Sequence, residues 1–208
     1  MQDSLDDLYH VPRPPLLVVI SGPSGVGKDT MLIRTKERGF EFMFVVTMTS
    51  RARRPNEIDG RDYFFVSRQK FEGLIANNEF LEHSVVYGDY KGIPKSQVRE
   101  AMASGNDVVM RIDVQGAAKI RQIVPNVVTI FLMPDSEDEL IRRLVERKTE
   151  TAEGLQRRIA TARDEMKRRY EFDYVVVNHV NHQDDAVDEI IAIIRAEHCR
   201  SRRTPIVL

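Results

Sequence analysis

A glycine-rich segment, SGPSGVGKDT at residues 21–30, carries the strongest chemical signal in the chain. Gly22, Gly27 and Lys28 match the pattern G-x-x-x-x-G-K-[ST], in which backbone N–H groups wrap phosphate oxygens and the lysine reaches the β- and γ-phosphates of a nucleotide. An apolar, strand-like run precedes the segment and a helical pattern follows it, which is the context that such a loop requires. We therefore expect a nucleotide phosphate site built from the loop itself: Gly22, Pro23, Ser24, Gly25, Val26, Gly27, Lys28, Asp29 and Thr30.

Asp29 departs from this pattern, because it stands where a hydroxyl normally contacts the magnesium ion on the nucleotide. A carboxylate ~5 Å from one unit of phosphate charge would be repelled by roughly 3 kcal/mol at an effective dielectric constant of ~20. A magnesium ion between the two reverses the sign, since carboxylate oxygen is a good ligand for it. We therefore hypothesise that Asp29 acts on Mg²⁺, directly or through water, with Thr30 as a neighbouring hydroxyl able to substitute.

A second chemical signal is the pair Arg51 and Arg54, three residues apart in a proline-broken basic loop. Guanidinium groups bind phosphate through paired N–H donors, so this pair suits a monophosphate dianion. The formal net charge of the chain is −1, which argues against a broad nucleic-acid surface and leaves phosphate binding to local clusters. Taken alone, the loop would more simply be a solvated basic surface.

The apolar pattern predicts the elements that position these residues. Five short runs are almost continuously apolar, as expected for strands covered on both faces, and helical patterns lie between them. Strands alternating with helices predict an α/β fold with a parallel sheet flanked by helices. The predicted strands are Leu16–Ser21, Met43–Met48, Asp107–Ile112, Val127–Leu132 and Tyr174–Val177.

Helix signals support this alternation. Pro94 is expected in the first turn of one helix, with Gly105 at its C-terminal end. Ser136 and Glu139 form a capping-box pattern at the start of another helix. Two later stretches carry apolar stripes at helical spacing; they are Leu155, Ile159, Ala162 and Met166, then Val187, Ile190, Ile191 and Ile194.

Two segments interrupt the alternation of strands and helices. Residues 49–93 combine arginine, glycine, aspartate and aromatic residues with strand-like pieces at Tyr63–Val66 and Phe80–Tyr87, and are predicted to form a small inserted lobe. Residues 147–154 are polar, lie between two helical patterns, and are predicted to be a mobile flap.

Composition limits the compartment and the partners. The single cysteine, Cys199, can form no disulfide within the chain, which favours a reducing compartment. No apolar run approaches a membrane span, and the acidic N-terminus lacks the basic start and apolar stretch of a secretory signal. We expect a cytoplasmic protein without membrane or nucleic-acid partners, as a monomer or a homodimer. A plastid or mitochondrion is the alternative if a transit peptide has been removed.

Six motifs together resemble those of the guanylate kinase family. They are ISGPSGVGKD, TSRARRPNEIDGRDYFFV, NNEFLEH, DVQGA, RKTET and DYVVVN, in the family's order and at similar spacings over residues 16–198. The GKD and YKGIPK variants are most similar to those of the plant-organelle branch. The resemblance implies transfer of the γ-phosphate of ATP to GMP, and to dGMP, giving ADP and GDP with Mg²⁺ as cofactor.

The same resemblance implies how the chain is divided. The fold would be that of a P-loop kinase, with a guanylate kinase-like domain at residues 16–198. Within it, a GMP-binding lobe would span about residues 47–93 and a mobile lid about residues 134–158. Residues 1–15 and 199–208 would be tails, and the basic C-terminal tail is expected to be solvated.

By this resemblance, Glu82 reads the guanine base of the acceptor. Guanine presents two adjacent N–H donors along one edge, which a carboxylate accepts together, whereas adenine presents a bare ring nitrogen there. Hydrogen bonds to a charged group contribute roughly 1.5–3 kcal/mol each, enough to dominate the choice of base. The residues implied to bind GMP are Thr47, Arg51, Arg54, Tyr63, Glu82, Lys91, Gly92 and Asp113.

The transfer step is assigned to positive charge and not to a general base, because the acceptor phosphate is itself the nucleophile. The implied catalytic residues are Lys28, Arg51, Arg147 and Arg158, of which the last two close over the triphosphate. The nearby arginines expected to be solvated are Arg142, Arg143 and Arg157. Asn178 matches a residue that contacts ATP through adenine, and an ordinary turn asparagine is an equally good interpretation.

The chain departs from the common family pattern at two places. It reads Lys91-Gly92-Ile93 in place of Tyr-Gly-Ser or Tyr-Gly-Thr. Lys91 could pair with the acceptor phosphate, and the hydrogen bond that Ile93 cannot make is worth only about 0.5–1.5 kcal/mol. Arg111 stands where the family often has an acidic residue, which either fills a structural role or brings another charge near the phosphates.

Two other functions stay open on the sequence alone. A guanylate-kinase-like module that binds proteins without activity would resemble this chain, but such modules typically lack a working phosphate loop. A related P-loop kinase with another acceptor, for example a sugar phosphate, can also carry the GKD variant. Glu82, Asp113 and the pair of Arg51 and Arg54 favour a purine nucleotide as acceptor.

Overall fold

A computed structural model of the chain describes residues 13–86, 88–146 and 152–206. No helix within these ranges has the length and apolar character to cross a membrane. The strands are β1 (Leu17–Ser21), β2 (Met43–Val45), β3 (Met48–Thr49), β4 (Phe64–Phe65), β5 (Phe80–Val86), β6 (Asp89–Pro94), β7 (Val108–Arg111), β8 (Val128–Pro134) and β9 (Tyr174–Asn178). The helices are α1 (Lys28–Glu37), α2 (Arg68–Ala76), α3 (Lys95–Ala103), α4 (Val114–Ile123), α5 (Glu137–Glu146), α6 (Ala152–Lys167) and α7 (Gln183–His198), with a 3₁₀ turn at Arg168–Glu171.

The centre of the fold is a parallel five-stranded sheet in the order β2-β7-β1-β8-β9. Every residue of β1 is buried, because the strand pairs with β7 and β8 and helices cover both of its faces. Val18 and Ile20 pack in the cluster that includes α1 and α7, whereas Leu17 and Val19 pack in the cluster that includes α3 and α4. The predicted α/β fold, a parallel sheet flanked by helices, is confirmed.

The single strand predicted at Met43–Met48 is wrong in its extent. β2 belongs to the main sheet beside β7, whereas β3 belongs to a second sheet. Between them, the backbone N–H and C=O of Val46 bond to the side chain of Gln97 and not to a neighbouring strand. The chain therefore changes sheets at this point, which places Thr47 at the junction of the two.

The second sheet lies in the interrupted region and has the order β4-β3-β6-β5. Its pairings are antiparallel except for that of β3 with β4. Phe71 of α2 is fully buried and stacks on the rings of Phe80 and Tyr90, with centroid distances of 4.3 and 5.1 Å. This lobe therefore has a small aromatic core beside the main sheet.

Two predicted helix starts differ in detail. α3 begins at Lys95, so Pro94 occupies the N-cap position and not the first turn. At α5, the Ser136 hydroxyl accepts the N–H of Glu139 at 3.2 Å. The Glu139 carboxylate does not complete the capping box, because it accepts hydrogen bonds from Arg142 and Arg143. These bonds, those from Arg142 most of all, lower the pKa of Glu139 to about 2.

The expectation of a solvated C-terminal tail is wrong for Arg203, whose side chain is 8% exposed. Its guanidinium donates to the carboxylate of Glu197 at 2.5 Å and to the carbonyl of Asn126 at 2.9 Å. Glu197 is itself buried in α7 and also accepts the Tyr174 hydroxyl at 2.5 Å. Since a carboxylate out of water needs such partners, the tail is pinned to the body of the protein.

We expect Arg203→Gln to lower the free energy of unfolding by about 1–3 kcal/mol, because it removes a charged donor from the buried Glu197 carboxylate. Urea unfolding followed by circular dichroism measures this change. Arg202→Gln is the matched control, since Arg202 is exposed and should change stability by less than about 0.5 kcal/mol. Equal losses for the two variants would contradict the pinned tail.

Candidate active site

The phosphate loop joins β1 to α1 and takes its shape from glycine. Gly22 and Gly27 have φ angles of 137° and 99°, in the region that favours glycine. A Cβ on Gly22 would collide with the carbonyl oxygen of Leu132 on β8, so only glycine lets the loop lie against the sheet here. α1 begins directly after Gly27, and the unbonded N–H groups of a helix N-terminus therefore lie at this loop.

The back of the loop is held through the carbonyl oxygen of Val26. It accepts the Asn178 side-chain amide at 2.7 Å and the Arg143 guanidinium at 3.1 Å. Arg143 was expected to be solvated, which is wrong: its side chain is 15% exposed and is paired with Glu139. Asn178 is the last residue of β9 and not a turn residue, and it is buried and supports the loop from behind. Its contact with adenine stays a prediction.

Lys28 lies at the mouth of the loop. Its ammonium donates to the carbonyls of Gly22 and Pro23 at 2.6 and 3.0 Å. Burial, together with the charges of Lys91 and Arg111, lowers the pKa of Lys28 to about 7, although the carboxylate of Glu165 opposes this shift. The ammonium is therefore short of compensating negative charge, which is the condition under which a lysine binds phosphate strongly.

Asp29, in the first turn of α1, forms an ion pair with Arg111 at the end of β7. The Arg111 side chain is 10% exposed, whereas that of Asp29 is 56% exposed. The departure from the phosphate-loop pattern at Asp29 and the departure from the family pattern at Arg111 are therefore partners of each other. Among the described residues, no group of three histidine, cysteine, aspartate or glutamate side chains is placed to hold a metal ion.

Across the cleft, Arg51 and Arg54 are organised by Glu57. The Arg51 guanidinium donates to both Glu57 carboxylate oxygens, at 2.7 and 3.0 Å, and the Arg54 backbone N–H donates to one of them at 2.8 Å. Although burial alone would raise it, these bonds hold the pKa of Glu57 below its usual value. Arg51 also lies over the ring of Tyr63, 5.3 Å from its centroid. The basic loop is thus an ordered cluster and not a solvated surface.

Glu82 on β5 is 4% exposed, and its Oε2 has no hydrogen-bond partner among the described residues. Burial and the nearby charge of Asp113 raise the pKa of Glu82 to about 8, against the effect of Lys119. An acceptor oxygen that is buried without a donor costs free energy. A ligand that brings N–H donors to this oxygen would recover it.

α4 forms the wall behind Glu82. Asp113 caps this helix, because its Oδ1 accepts the N–H groups of Gln115 and Gly116 at 2.8 and 3.1 Å, while its Oδ2 accepts the Ser84 hydroxyl at 2.7 Å. A Cβ on Gly116 would lie 2.8 to 3.0 Å from the carboxylate atoms of Glu82. A larger residue at this position would therefore displace the carboxylate of Glu82.

β6 contributes Lys91 to the cleft but not its neighbours. Lys91 lines the cleft, and burial lowers its pKa. The negative charge of Asp113 opposes this shift, whereas the nearby arginines add to it. Gly92, whose contact with GMP stays a prediction, packs against the aromatic core of the lobe, where a Cβ would come within 2.8 Å of Phe80. Ile93 is fully buried in the main core and faces away from the base site.

One cleft of about 600 Å³ lies between the phosphate loop and the second sheet, and Lys28, Arg51 and Glu82 all line it. The cleft brings together most of the predicted site residues, including Thr30, Thr47 and Arg158. Four predicted residues are not among its lining residues, and a fifth, Arg147, lies outside the described residues. The four are Pro23, Val26, Gly92 and Asn178.

Sequence reasoning missed four residues that shape the site. Glu57 could have been found as the first acid after the basic run RARR at residues 51–54. Glu165 lies on α6, lines the cleft and accepts a hydrogen bond from the backbone N–H of Ser24. No local sequence pattern distinguishes it from a solvated helix residue. Arg143 and Gly116 act through contacts with distant segments, which only the fold brings to them.

Comparisons with known proteins agree with this arrangement. A sequence profile described as guanylate kinase matches residues 15–197. The chain is 50% identical over 190 residues to guanylate kinase 2, chloroplastic/mitochondrial, of Oryza sativa subsp. japonica, covering 91% of this chain and 67% of that protein. It is 44% identical over 188 residues to guanylate kinase of Halalkalibacterium halodurans, covering 90% and 91%. The crystal structure of guanylate kinase from Anaplasma phagocytophilum is similar, with a TM-score of 0.77, 32% identity and coverage of 92% and 90%.

The raised pKa of Glu82 predicts how stability depends on pH. Between pH 4.5 and about 8 the folded protein holds a proton on Glu82 that the unfolded chain releases. The free energy of unfolding should therefore fall as pH rises through this window, by a few kcal/mol, because the folded state binds more protons there.

Glu82→Gln should abolish this contribution, since the amide does not titrate. Urea unfolding of both proteins at several pH values measures the difference, and Glu82→Gln should become relatively more stable as pH rises towards 8. Parallel pH profiles for the two proteins would show that Glu82 is charged in the folded state throughout.

Proposed function

The chain belongs to the guanylate kinase family and is an ATP:GMP phosphotransferase, and we propose how its described side chains divide this reaction between them. The γ-phosphate of ATP passes to the phosphate of GMP, giving ADP and GDP. The observation that carries the assignment is the buried Oε2 of Glu82, which has no donor among the described residues and lies in the same cleft as the phosphate loop.

Glu82 selects guanine by accepting its two adjacent N–H donors. The carboxylate must be ionised to accept both, so GMP binding displaces the proton that Glu82 holds below pH about 8. Adenine would direct a ring nitrogen lone pair at the same oxygen and would leave it without a donor. Thr47 and Asp113 stand beside the base, and Gly116 keeps the carboxylate in position.

The acceptor phosphate binds between Arg51, Arg54, Tyr63 and Lys91. All four line the cleft on the side of the second sheet. Glu57 holds Arg51 and the backbone of Arg54 in place, so the guanidinium groups lose little freedom when a phosphate arrives. Lys91 supplies the charge that replaces the tyrosine of the common family pattern.

ATP binds on the phosphate loop, with its β- and γ-phosphates near Lys28. The ammonium exchanges the two loop carbonyls for phosphate oxygens, and their charge raises the lowered pKa of Lys28 back towards its ordinary value. Arg158 of α6 lines the cleft, and together with Arg147 it closes over the triphosphate. Asn178 serves ATP indirectly, because it holds the Val26 carbonyl at the back of the loop.

Magnesium fits the donors at the first turn of α1. Nucleotide-bound Mg²⁺ takes phosphate oxygens, keeps several waters and needs only one or two protein oxygens. Asp29 and Thr30 both line the cleft there, and Asp29 stays more than half exposed while paired with Arg111. When bound, the ion neutralises part of the negative charge on the phosphates.

In the transfer step, an oxygen of the GMP phosphate forms a bond to the γ-phosphorus of ATP. The bond from that phosphorus to the oxygen shared with the β-phosphate breaks, and ADP leaves. No proton has to be removed from the nucleophile, because it is already an anion. The residues therefore act by alignment and positive charge: Lys28 from the ATP side, Arg51 from the GMP side, and Arg158 and Arg147 from the lid.

The alternatives find less support in these residues. An inactive binding module has no need of a phosphate loop whose lysine, glycines and rear support are all in place. A sugar phosphate acceptor would leave the buried Glu82 oxygen without N–H donors.

The rice relative is named as a chloroplastic/mitochondrial protein. For this chain we propose the cytoplasm, or one of those two organelles, as the place of action. Fractionation of the source cells with an antibody to the protein distinguishes these compartments.

We expect ADP release from ATP and Mg²⁺ to depend on GMP or dGMP and to be much slower with AMP or a ribose bisphosphate. Glu82→Gln should lower kcat/KM for GMP by about 10- to 100-fold, because it loses hydrogen bonds to a charged acceptor worth roughly 1.5–3 kcal/mol. A proportional loss with AMP would contradict the role of Glu82. Absence of any GMP-dependent turnover would favour the binding module.

Gly116→Ala should raise the KM for GMP by about 10-fold or more, since a displaced carboxylate loses at least one hydrogen bond to the base. The variant should stay folded, because alanine favours helices over glycine by about 1 kcal/mol. Steady-state kinetics and thermal unfolding measure the two effects separately.

Gly73→Ala is the matched control, because Gly73 also lies within a helix and a Cβ there would meet no atom within 4 Å. It should leave the KM for GMP unchanged. An unchanged KM in Gly116→Ala as well would show that the carboxylate tolerates the added methyl group.

A further inference from the structure

Arg111 touches three parts of the molecule at once. It ends β7 beside β1, where it is in register with Ile20, directly before the phosphate loop. Its guanidinium pairs with Asp29 on α1 and donates to the carbonyl oxygen of Asp62 at 3.0 Å. It also lies 4.8 Å from the centroid of the Tyr63 ring. One side chain thus connects the central sheet, the ATP loop and the acceptor lobe.

The contacts of Arg111 connect it, through one intervening residue on each side, to Lys28 at the ATP site and to Arg51 at the GMP site. Asp29 follows Lys28 directly in the chain, so the Arg111 pair is attached to the first turn that carries the phosphate-binding lysine. On the other side, the Tyr63 ring that Arg111 packs against also contacts Arg51, at 5.3 Å. Arg111 therefore lies between the cation that holds the donor phosphates and the cation that holds the acceptor phosphate.

Stability alone does not account for a charge pair at this place. Only Arg111 is largely buried in this pair, and the desolvation of a buried charge offsets much of its Coulomb attraction to a partner. The Arg111 side chain is 10% exposed and lines a cleft that already holds several cations, which makes its site costly for a further positive charge. Asp29 offsets that cost, and Arg111 in turn offsets the repulsion of the Asp29 carboxylate by phosphate.

We propose that the Asp29–Arg111 ion pair is a positioning device that couples the phosphate loop to the acceptor lobe and holds the two phosphate sites at the separation that transfer requires. The inference rests on the phosphotransfer proposed above and adds to it Arg111 and a second role for Asp29. Arg111 is a positioning residue that acts through Asp29, Asp62 and Tyr63. Asp29 on α1 and Arg111 on β7 form one unit, so the loss of either breaks the connection.

A coupling device of this kind has a distinctive kinetic signature. Loss of the pair should impair the alignment of the two substrates more than the binding of either substrate alone. A misplacement of about 1 Å can cost up to ~100-fold in rate, so kcat should fall while both KM values change little. Binding of one substrate analogue should also lose its effect on the affinity for the other, because the element that joins the two sites is broken.

The experiment is a double-mutant cycle with Asp29→Asn, Arg111→Gln and the double variant. We expect each single variant to lower kcat by about 10- to 100-fold, with KM values for ATP and GMP within about threefold of the unmodified protein. At saturating Mg²⁺, the double variant should lose clearly less than the product of the two single losses, since the second change removes a partner that is already lost. Arg111→Lys, which keeps a cation opposite Asp29, should recover part of kcat.

Calorimetry supplies a readout that a merely structural role would not move. GMP is titrated into the protein with and without a non-hydrolysable ATP analogue, and the ratio of the two affinities is the coupling factor. We expect this factor to fall towards 1 in Asp29→Asn and in Arg111→Gln. Asp29 is 56% exposed, so Asp29→Asn keeps the test available if Arg111→Gln does not fold.

A matched control is the surface pair of Arg34 and Asp184, which joins the same helix α1 to α7 at 2.9 Å. The double variant Arg34→Gln with Asp184→Asn should keep kcat within about twofold, as expected for an exposed ion pair. Multiplicative effects of the Asp29 and Arg111 changes, or an unchanged coupling factor, would overturn the positioning role. Failure of the unmodified protein to use GMP would instead refute the proposed function.

Discussion

The constraint on which this site depends is electrostatic. The triphosphate of ATP and the phosphate of GMP can meet only if cationic side chains offset their repulsion. Those cations would in turn repel each other in a cleft partly shielded from water. The structure answers by giving the cations acidic neighbours. Arg51 has Glu57, Arg111 has Asp29, and Lys28 has the opposing charge of Glu165. The acids therefore hold the cations apart and in position.

The parallel sheet explains why these groups meet at all. Carboxyl ends of neighbouring parallel strands lie at one edge, so the loop after β1 and the ends of β7 and β9 come together there. β7 contributes Arg111 and leads to Asp113, while β9 contributes Asn178 behind the loop. The second sheet, which the chain enters at β3, contributes Glu82 from β5 and Lys91 from β6 to the same cleft.

The contacts that the sequence interpretation missed have a common physical origin. Arg143 lies near a functional motif and Asn178 lies within one, and local pattern alone could not show which way their side chains point. Arg143 and Asn178 turn inward to one carbonyl of the phosphate loop, and Gly92 packs against the aromatic core of the lobe. The strand predicted at Met43–Met48 divides for a similar reason, since its two halves pair with different sheets.

The amino-acid sequence by itself determined the α/β alternation, the phosphate loop, the family and most of the residues that line the cleft, because these depend on local periodicity and short motifs. Only the tertiary structure decided which charges are partners. Asp29 and Arg111 are far apart in sequence, as are Glu82 and Gly116, and no local rule links them. Coulomb energies and steric contact depend on distance in space, and the folded chain alone sets those distances.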